Sequence, residues 1–141
     1  QLRPQVDLLL ILCHWGIEYT AQPNQNQIEL AHIAIDNGAD LIIGDHPHWI
    51  QAIEFYQDKP IFYGLGNFVF DQMWSLQTKQ GMVVLITYQG KRLQRLKIIP
   101  FLIYDYVQPR PLAGQEKEKM INYILSLSDS ESRQKLNQYL R

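Results

Sequence analysis

Two apolar runs constrain this chain more than any other feature. Asp7 leads into Leu8-Leu9-Leu10-Ile11-Leu12-Cys13, which ends in His14-Trp15-Gly16; Leu41-Ile42-Ile43 ends in Gly44-Asp45-His46-Pro47-His48. Each reads as a strand that delivers histidine at its carboxyl end, beside a glycine. The run from Asp7 to Cys13 does not alternate, so it is expected to be covered on both faces. Between the runs lies a helical pattern. The order strand–helix–strand makes a right-handed parallel crossover the default. In open α/β sheets, sites gather outside the carboxyl ends of the strands. If the two strands are neighbours, His14, His46 and His48 converge at one rim.

His46 and His48 are two residues apart. On an extended backbone that spacing points both rings to one side. Pro47 disfavours helix at His46, which supports the extended reading. A bare His-x-His fits a partial metal site, and it fits two polar loop histidines that bind nothing. His14 at the end of the other run favours the metal reading, since Zn, Mn and Fe all accept imidazole.

The remaining elements follow in order. Asn24 to Asn37 reads as a helix, with Asn24 and Gln27 placed for a capping box and Gly38 for the C′ position. Ile28, Ala31 and Ile35 form its apolar stripe, widened by Leu30, Ile33 and Ala34. His32 falls on that stripe and reads as a packing residue. Ala39 to Ile43 is the second strand. Ala52 to Tyr56 and Pro60 to Gly64 read as a strand pair around a turn. Gly64-Leu65-Gly66-Asn67-Phe68 permits a close backbone approach or a positive φ, and Asn67 offers an amide there. Met73 to Lys79 reads as a polar loop. Gly81 to Tyr88 and Arg92 to Ile103 form a hairpin around Gln89-Gly90-Lys91, with Lys91, Arg92, Arg95 and Lys97 on its wet face. Tyr104 to Leu112, with two prolines, reads as irregular. Two helices close the chain, Gln115 to Leu127 and one within Ser128 to Arg141 capped by Asp129 or Ser130.

Composition narrows the function classes. The 141 residues suit one domain, and 46% hydrophobic content allows a substantial core. A net charge of −1 gives no sign of a nucleic-acid-binding surface or a polybasic membrane patch. The single cysteine, Cys13, cannot form an internal disulfide and reads as a small buried hydrophobe. No apolar run reaches the roughly 18 residues of a membrane span.

The motifs in combination are more specific than any of them alone. His14-Trp15-Gly16-Ile17-Glu18-Tyr19, Gly38-Ala39-Asp40, Gly44-Asp45-His46-Pro47-His48 and Gly64-Leu65-Gly66-Asn67-Phe68-Val69-Phe70-Asp71 occur in that order. This resembles the CapA/PgsA family, named for poly-γ-glutamate capsule biosynthesis and similar to the calcineurin-like metallophosphoesterases. The resemblance covers roughly residues 6–114. It implies an α/β fold, the carboxyl-terminal half of a four-layer α/β/β/α metallophosphoesterase-like sandwich. It also implies a metallophosphoesterase domain over 1–114 without its amino-terminal half, and a helical extension over 115–141. Carried over residue by residue, it makes His14, His46 and His48 ligands of a divalent ion (Mn, Zn or Fe). Asp45, Glu18 and Asn67 then stand behind the metal or contact substrate. Asp45 separates Gly44 from His46, where the superfamily has Gly-His-x-His. The superfamily's earlier carboxylate motifs, its bridging aspartate and its Gly-Asn-His segment have no counterpart here.

Two readings of function follow from the resemblance. One is a metal-dependent phosphoesterase-like enzyme of capsule biosynthesis, acting on a phosphoester or an anionic polymer. The other is a non-catalytic scaffold for synthesis or export of that polymer. Both place the protein at the bacterial envelope, outside the cytoplasm, with the capsule synthesis and export machinery as partner and no nucleic acid. Because the chain opens on Gln1, a preceding half and any membrane anchor are expected outside this sequence. The 141 residues alone are then expected to be inactive, and poorly soluble or self-associating, through uncovered sheet surface.

Overall fold

The computed structural model describes residues 2–140. After a 3₁₀ turn at Arg3–Gln5, the elements are β1 (Leu10–His14), α1 (Gln25–Asp36), β2 (Leu41–Asp45), β3 (Ile53–Tyr56), β4 (Lys59–Phe62), α2 (Leu76–Lys79), β5 (Gln80–Gln89), β6 (Arg92–Tyr104), β7 (Gln108–Pro111), α3 (Gly114–Leu127) and α4 (Ser130–Tyr139). The strands form two sheets. The first runs β1-β2-β4-β3, with β1, β2 and β4 parallel and β3 antiparallel; the second is the antiparallel β5-β6-β7.

The α/β expectation is met, and strand alternation explains how the layers stack. On β2, Ile42 packs toward α1, where Ala31, Ile35, Ile61 and Tyr63 form one core. Leu41 and Ile43 point the other way, into a second core with Phe62 of β4 and with Met82, Leu96 and Ile98 of the facing sheet. That larger core also holds Met120 and Ile124 of α3 and Leu136 of α4, so both closing helices pack into the same interior as the sheets.

The capping box is formed as read: Asn24 Oδ1 accepts from Gln27 N–H, and the Gln27 side chain accepts from Asn24 N–H. Gly38 takes φ +100° at C′. His32 lies 2.8 Å from a Glu54 carboxylate oxygen and stacks on Tyr56, a packing role as expected. Asp40 anchors the entry to β1 by accepting from Leu9 N–H and Lys59 Nζ. Burial raises its pKa, but those donors and the Lys59 and Arg3 charges more than offset this, leaving its carboxyl below the ordinary value.

Several readings are corrected. β1 is not covered on both faces: Leu10 and Leu12 are 50% and 77% exposed, while Ile11 and Cys13 pack toward α1. β1 is an edge strand, and the second sheet does not reach across it. Leu30 and Ile33 face outward, because α1 packs through the narrower Ala31/Ile35 line. The 73–79 stretch contains the short helix α2, capped by Ser75 accepting from Thr78 N–H. The Tyr104–Leu112 stretch is not irregular throughout: β7 pairs with β6, and its two prolines fit because it is an edge strand.

Candidate metal centre

β1 and β2 run parallel with His14 opposite Asp45, so both strands end at the same rim. Trp15 N–H donates to Asp45 O (3.1 Å), carrying the ladder one step past β1. The Trp15 indole crosses the end of β2 and donates to Tyr63 O at 3.0 Å. This crossing explains Gly44: a Cβ there would overlap the Tyr63 carbonyl and the indole nitrogen.

The loop after β1 is held from below. Gln51, fully buried, donates through Nε2 to Thr20 O and Gln22 O at 3.1 and 3.2 Å. Its Oε1 accepts from Gln27 Nε2 at 2.9 Å. The α1 capping residue therefore also fixes the loop that carries Glu18 and Tyr19. Tyr19 N–H donates to Pro47 O at 2.8 Å, tying this loop to the one after β2.

The backbone at the His-x-His is not extended. His46 has φ +99° and His48 φ +59°, and Tyr19, bonded to the residue between them, has φ +61°. Positive φ at non-glycine residues costs of order 1–3 kcal/mol and concentrates at functional sites. A sharp turn pinned by Tyr19 N–H brings both rings to the rim, where strand alternation was expected to do so.

The three rings do share a place. His14, His46 and His48 line one cavity of about 820 Å³ between the sheets, together with Asp45 and Asn67. His14 Nε2 lies 3.1 Å from His46 Nδ1, and the ring centroids are 4.7 Å apart. The His46 and His48 centroids are 6.2 Å apart. Asp45, across the strand pair, sets Oδ2 3.7 Å from His14 Nδ1. His48 Nδ1 is 2.8 Å from Asn67 Oδ1, and its Nε2 is 3.8 Å from Glu18 Oε1.

The donor set fits a divalent ion in part. Two imidazole nitrogens bound at about 2.1 Å lie about 3.0–3.4 Å apart at octahedral or tetrahedral angles. The His14–His46 separation of 3.1 Å falls in that interval. Among the described residues, however, no group of three or more His, Cys, Asp or Glu side chains closes around one point. Cys13 is no added ligand of note, since burial pushes its thiol pKa up and away from the thiolate.

Some residues that shape the site left no signal in the sequence. Gln72 accepts from Asn67 and donates to Tyr19 Oη; Thr78 offers its carbonyl to Asn67. Tyr19 stacks on His48 with centroids 5.8 Å apart. A buried glutamine betrays its role only through partners distant in sequence. Gln27 could be read as a cap but not as the partner of Gln51.

The profile of the bacterial capsule synthesis proteins, PGA_cap, matches residues 1–72, which include all three rim histidines, Asn67 and Gln72. The chain belongs to that family. It is 38% identical over 122 residues to the PGA biosynthesis protein CapA of Bacillus subtilis, a match covering 86% of this chain and 32% of that protein. It is 40% identical over 108 residues to the capsule biosynthesis protein CapA of Bacillus anthracis, covering 77% of this chain and 26% of that protein. A probable polyglutamine synthesis accessory protein of Mycobacterium tuberculosis is 35% identical over 65 residues, or 46% of this chain and 17% of its own length. The chain thus spans a third or less of these relatives. Among the described residues, no helix is long and apolar enough to cross a membrane.

Proposed function

We propose that this PGA_cap chain contributes half of a divalent-metal site to a protein of poly-γ-glutamate capsule biosynthesis at the bacterial envelope. The reaction class is hydrolysis or transfer at a phosphoester or related bond. The observation that carries this reading is the His14–His46 pair, two imidazole nitrogens 3.1 Å apart at the ends of adjacent parallel strands. A bound Mn, Zn or Fe ion would supply an activated water and neutralise charge at the displaced oxygen. The chain's own side chains would do the rest. His14 and His46 would hold the ion, with Asp45 beside His14 Nδ1 to orient that ring. His48 would present Nε2 to the same cavity, and Glu18, half exposed and 3.8 Å away, would receive or hold a proton there.

A second reading is favoured by one specific observation: no three-ligand group closes among the described residues. In that reading the rim is a scaffold, which helps assemble or export the anionic polymer without catalysis. One experiment separates the two. The whole natural protein that carries this chain is assayed for polymer production and for metal content, as wild type and as the His14→Ala/His46→Ala double variant. Bound metal that the double variant loses, with polymer production falling in step and chelator reproducing the loss, supports the metal site. Metal-free wild type, or full production by the double variant, overturns it in favour of the scaffold.

A further inference from the structure

The geometry points to Asn67 as the residue that decides which nitrogen of His48 carries the proton. Asn67 is 7% exposed, and its Nδ2 lies 2.9 Å from Thr78 O and 3.2 Å from Gln72 Oε1. A main-chain carbonyl has no hydrogen to give, so the Asn67 atom that faces Thr78 O must be the NH₂. The amide orientation is therefore fixed by chemistry, independent of how oxygen and nitrogen are assigned. The atom left over, Oδ1, only accepts. It lies 2.8 Å from His48 Nδ1, so Nδ1 must bear hydrogen. In the neutral ring, Nε2 then keeps its lone pair, and Nε2 is the nitrogen that faces Glu18.

The anchor of this chain of bonds is rigid. Thr78 is fully buried in α2 and bonded to its Ser75 cap. Asn67 donates to Gln72 Oε1, so the Gln72 NH₂ is free to donate to Tyr19 Oη at 3.2 Å, and the Tyr19 ring stacks on His48. One polar sequence, Thr78 to Asn67 to Gln72 to Tyr19, thus holds the His48 ring at its edge and across its face. The other two rings differ. His14 Nε2 and His46 Nδ1 face each other, and a hydrogen on either one satisfies the bond. His48 is the ring whose tautomer is set before anything binds, and Asn67 is its positioning residue.

The inference builds on the reading of His48 as a site residue, but the tautomer does not depend on any ion. It is tested by ¹⁵N NMR of the histidine side chains in the whole natural protein, stripped of metal, at a pH well above the ordinary histidine pKa. The His48 signals are identified by their loss in His48→Gln. Wild type is expected to show a protonated-type Nδ1 and a lone-pair-type Nε2. Asn67→Ala is expected to shift the ring toward the Nε2–H form. Gln72→Leu, which leaves the Thr78 anchor in place, is expected to keep the wild-type pattern and so controls for general disturbance. An Nε2–H ring in wild type, or unchanged shifts in Asn67→Ala, overturns the proposal. Zinc titration of the same samples supplies the second readout. Loss of a partner behind a ligating histidine costs about 10–100-fold in affinity. If the tautomer responds and zinc affinity does not, the role of Asn67 stands and His48 is not a ligand of the ion, which leaves the His14–His46 pair to be tested by its own double variant.

Discussion

The two edges of the first sheet are finished in opposite ways. At the β3 edge, Ile53 N–H donates to Ser128 Oγ (3.1 Å) and Phe55 N–H to Ser132 Oγ (2.9 Å), so the serine that ends α3 and one in the first turn of α4 take up the free ladder groups. Behind them, Leu136 of α4 and Ile124 of α3 are fully buried. At the β1 edge, no strand or helix among the described residues pairs with the outer side, and Leu10 and Leu12 lie open. An uncovered parallel edge with apolar side chains is a surface for association. The histidine rim belongs to the open edge, since His14 is the last residue of β1 and lies on the same face as Leu10 and Leu12. The stabilising contacts and the proposed metal rim thus lie on opposite sides of one sheet.

The closed side is where substitution costs most. Leu136→Ala removes a fully buried side chain that α4 brings to the shared core. It is expected to destabilise by about 2–5 kcal/mol, read as a lowered urea midpoint at constant slope. Ser132→Ala keeps the Asp129 cap of α4 but strips the Phe55 N–H of its acceptor. An unpaired buried donor costs about 1–3 kcal/mol. Near-zero change there would mean that the β3 edge is closed by side-chain packing alone, which would weaken the contrast between the edges.

What was legible in the sequence follows the same division between local and distant causes. The Asn24/Gln27 cap, the Gln89-Gly90-Lys91 hairpin and the strand–helix–strand order are local, and all are found. That His14 and His46 share a rim was legible, because two adjacent parallel strands end together there. The exposure of β1 was not legible, because an apolar run reports that its residues are hydrophobic and not whether a neighbour covers them. The turn at His46–His48 escaped for a similar reason: its positive φ values are held by Tyr19, far away in the chain. Gln51, Gln72 and Thr78 were invisible because a polar residue in isolation looks like surface. β7 was hidden by its prolines, which exclude a central strand and permit an edge one.

The open edge gives the smallest effect on stability and a different readout. Leu12 is 77% exposed, so Leu12→Lys removes little buried contact and is expected to change the unfolding free energy by within about 0.5 kcal/mol. Its effect should appear in association instead. A lysine on the exposed face of an edge strand places charge where a second apolar surface would dock. Sedimentation of the 141-residue polypeptide is expected to show concentration-dependent self-association in wild type and a shift toward monomer in Leu12→Lys. A wild-type chain that is monomeric at all concentrations would show that the open edge is tolerated by itself. A Leu12→Lys chain that unfolds would instead place Leu12 in the interior, and the division between a closed, stabilising side and an open side would fail.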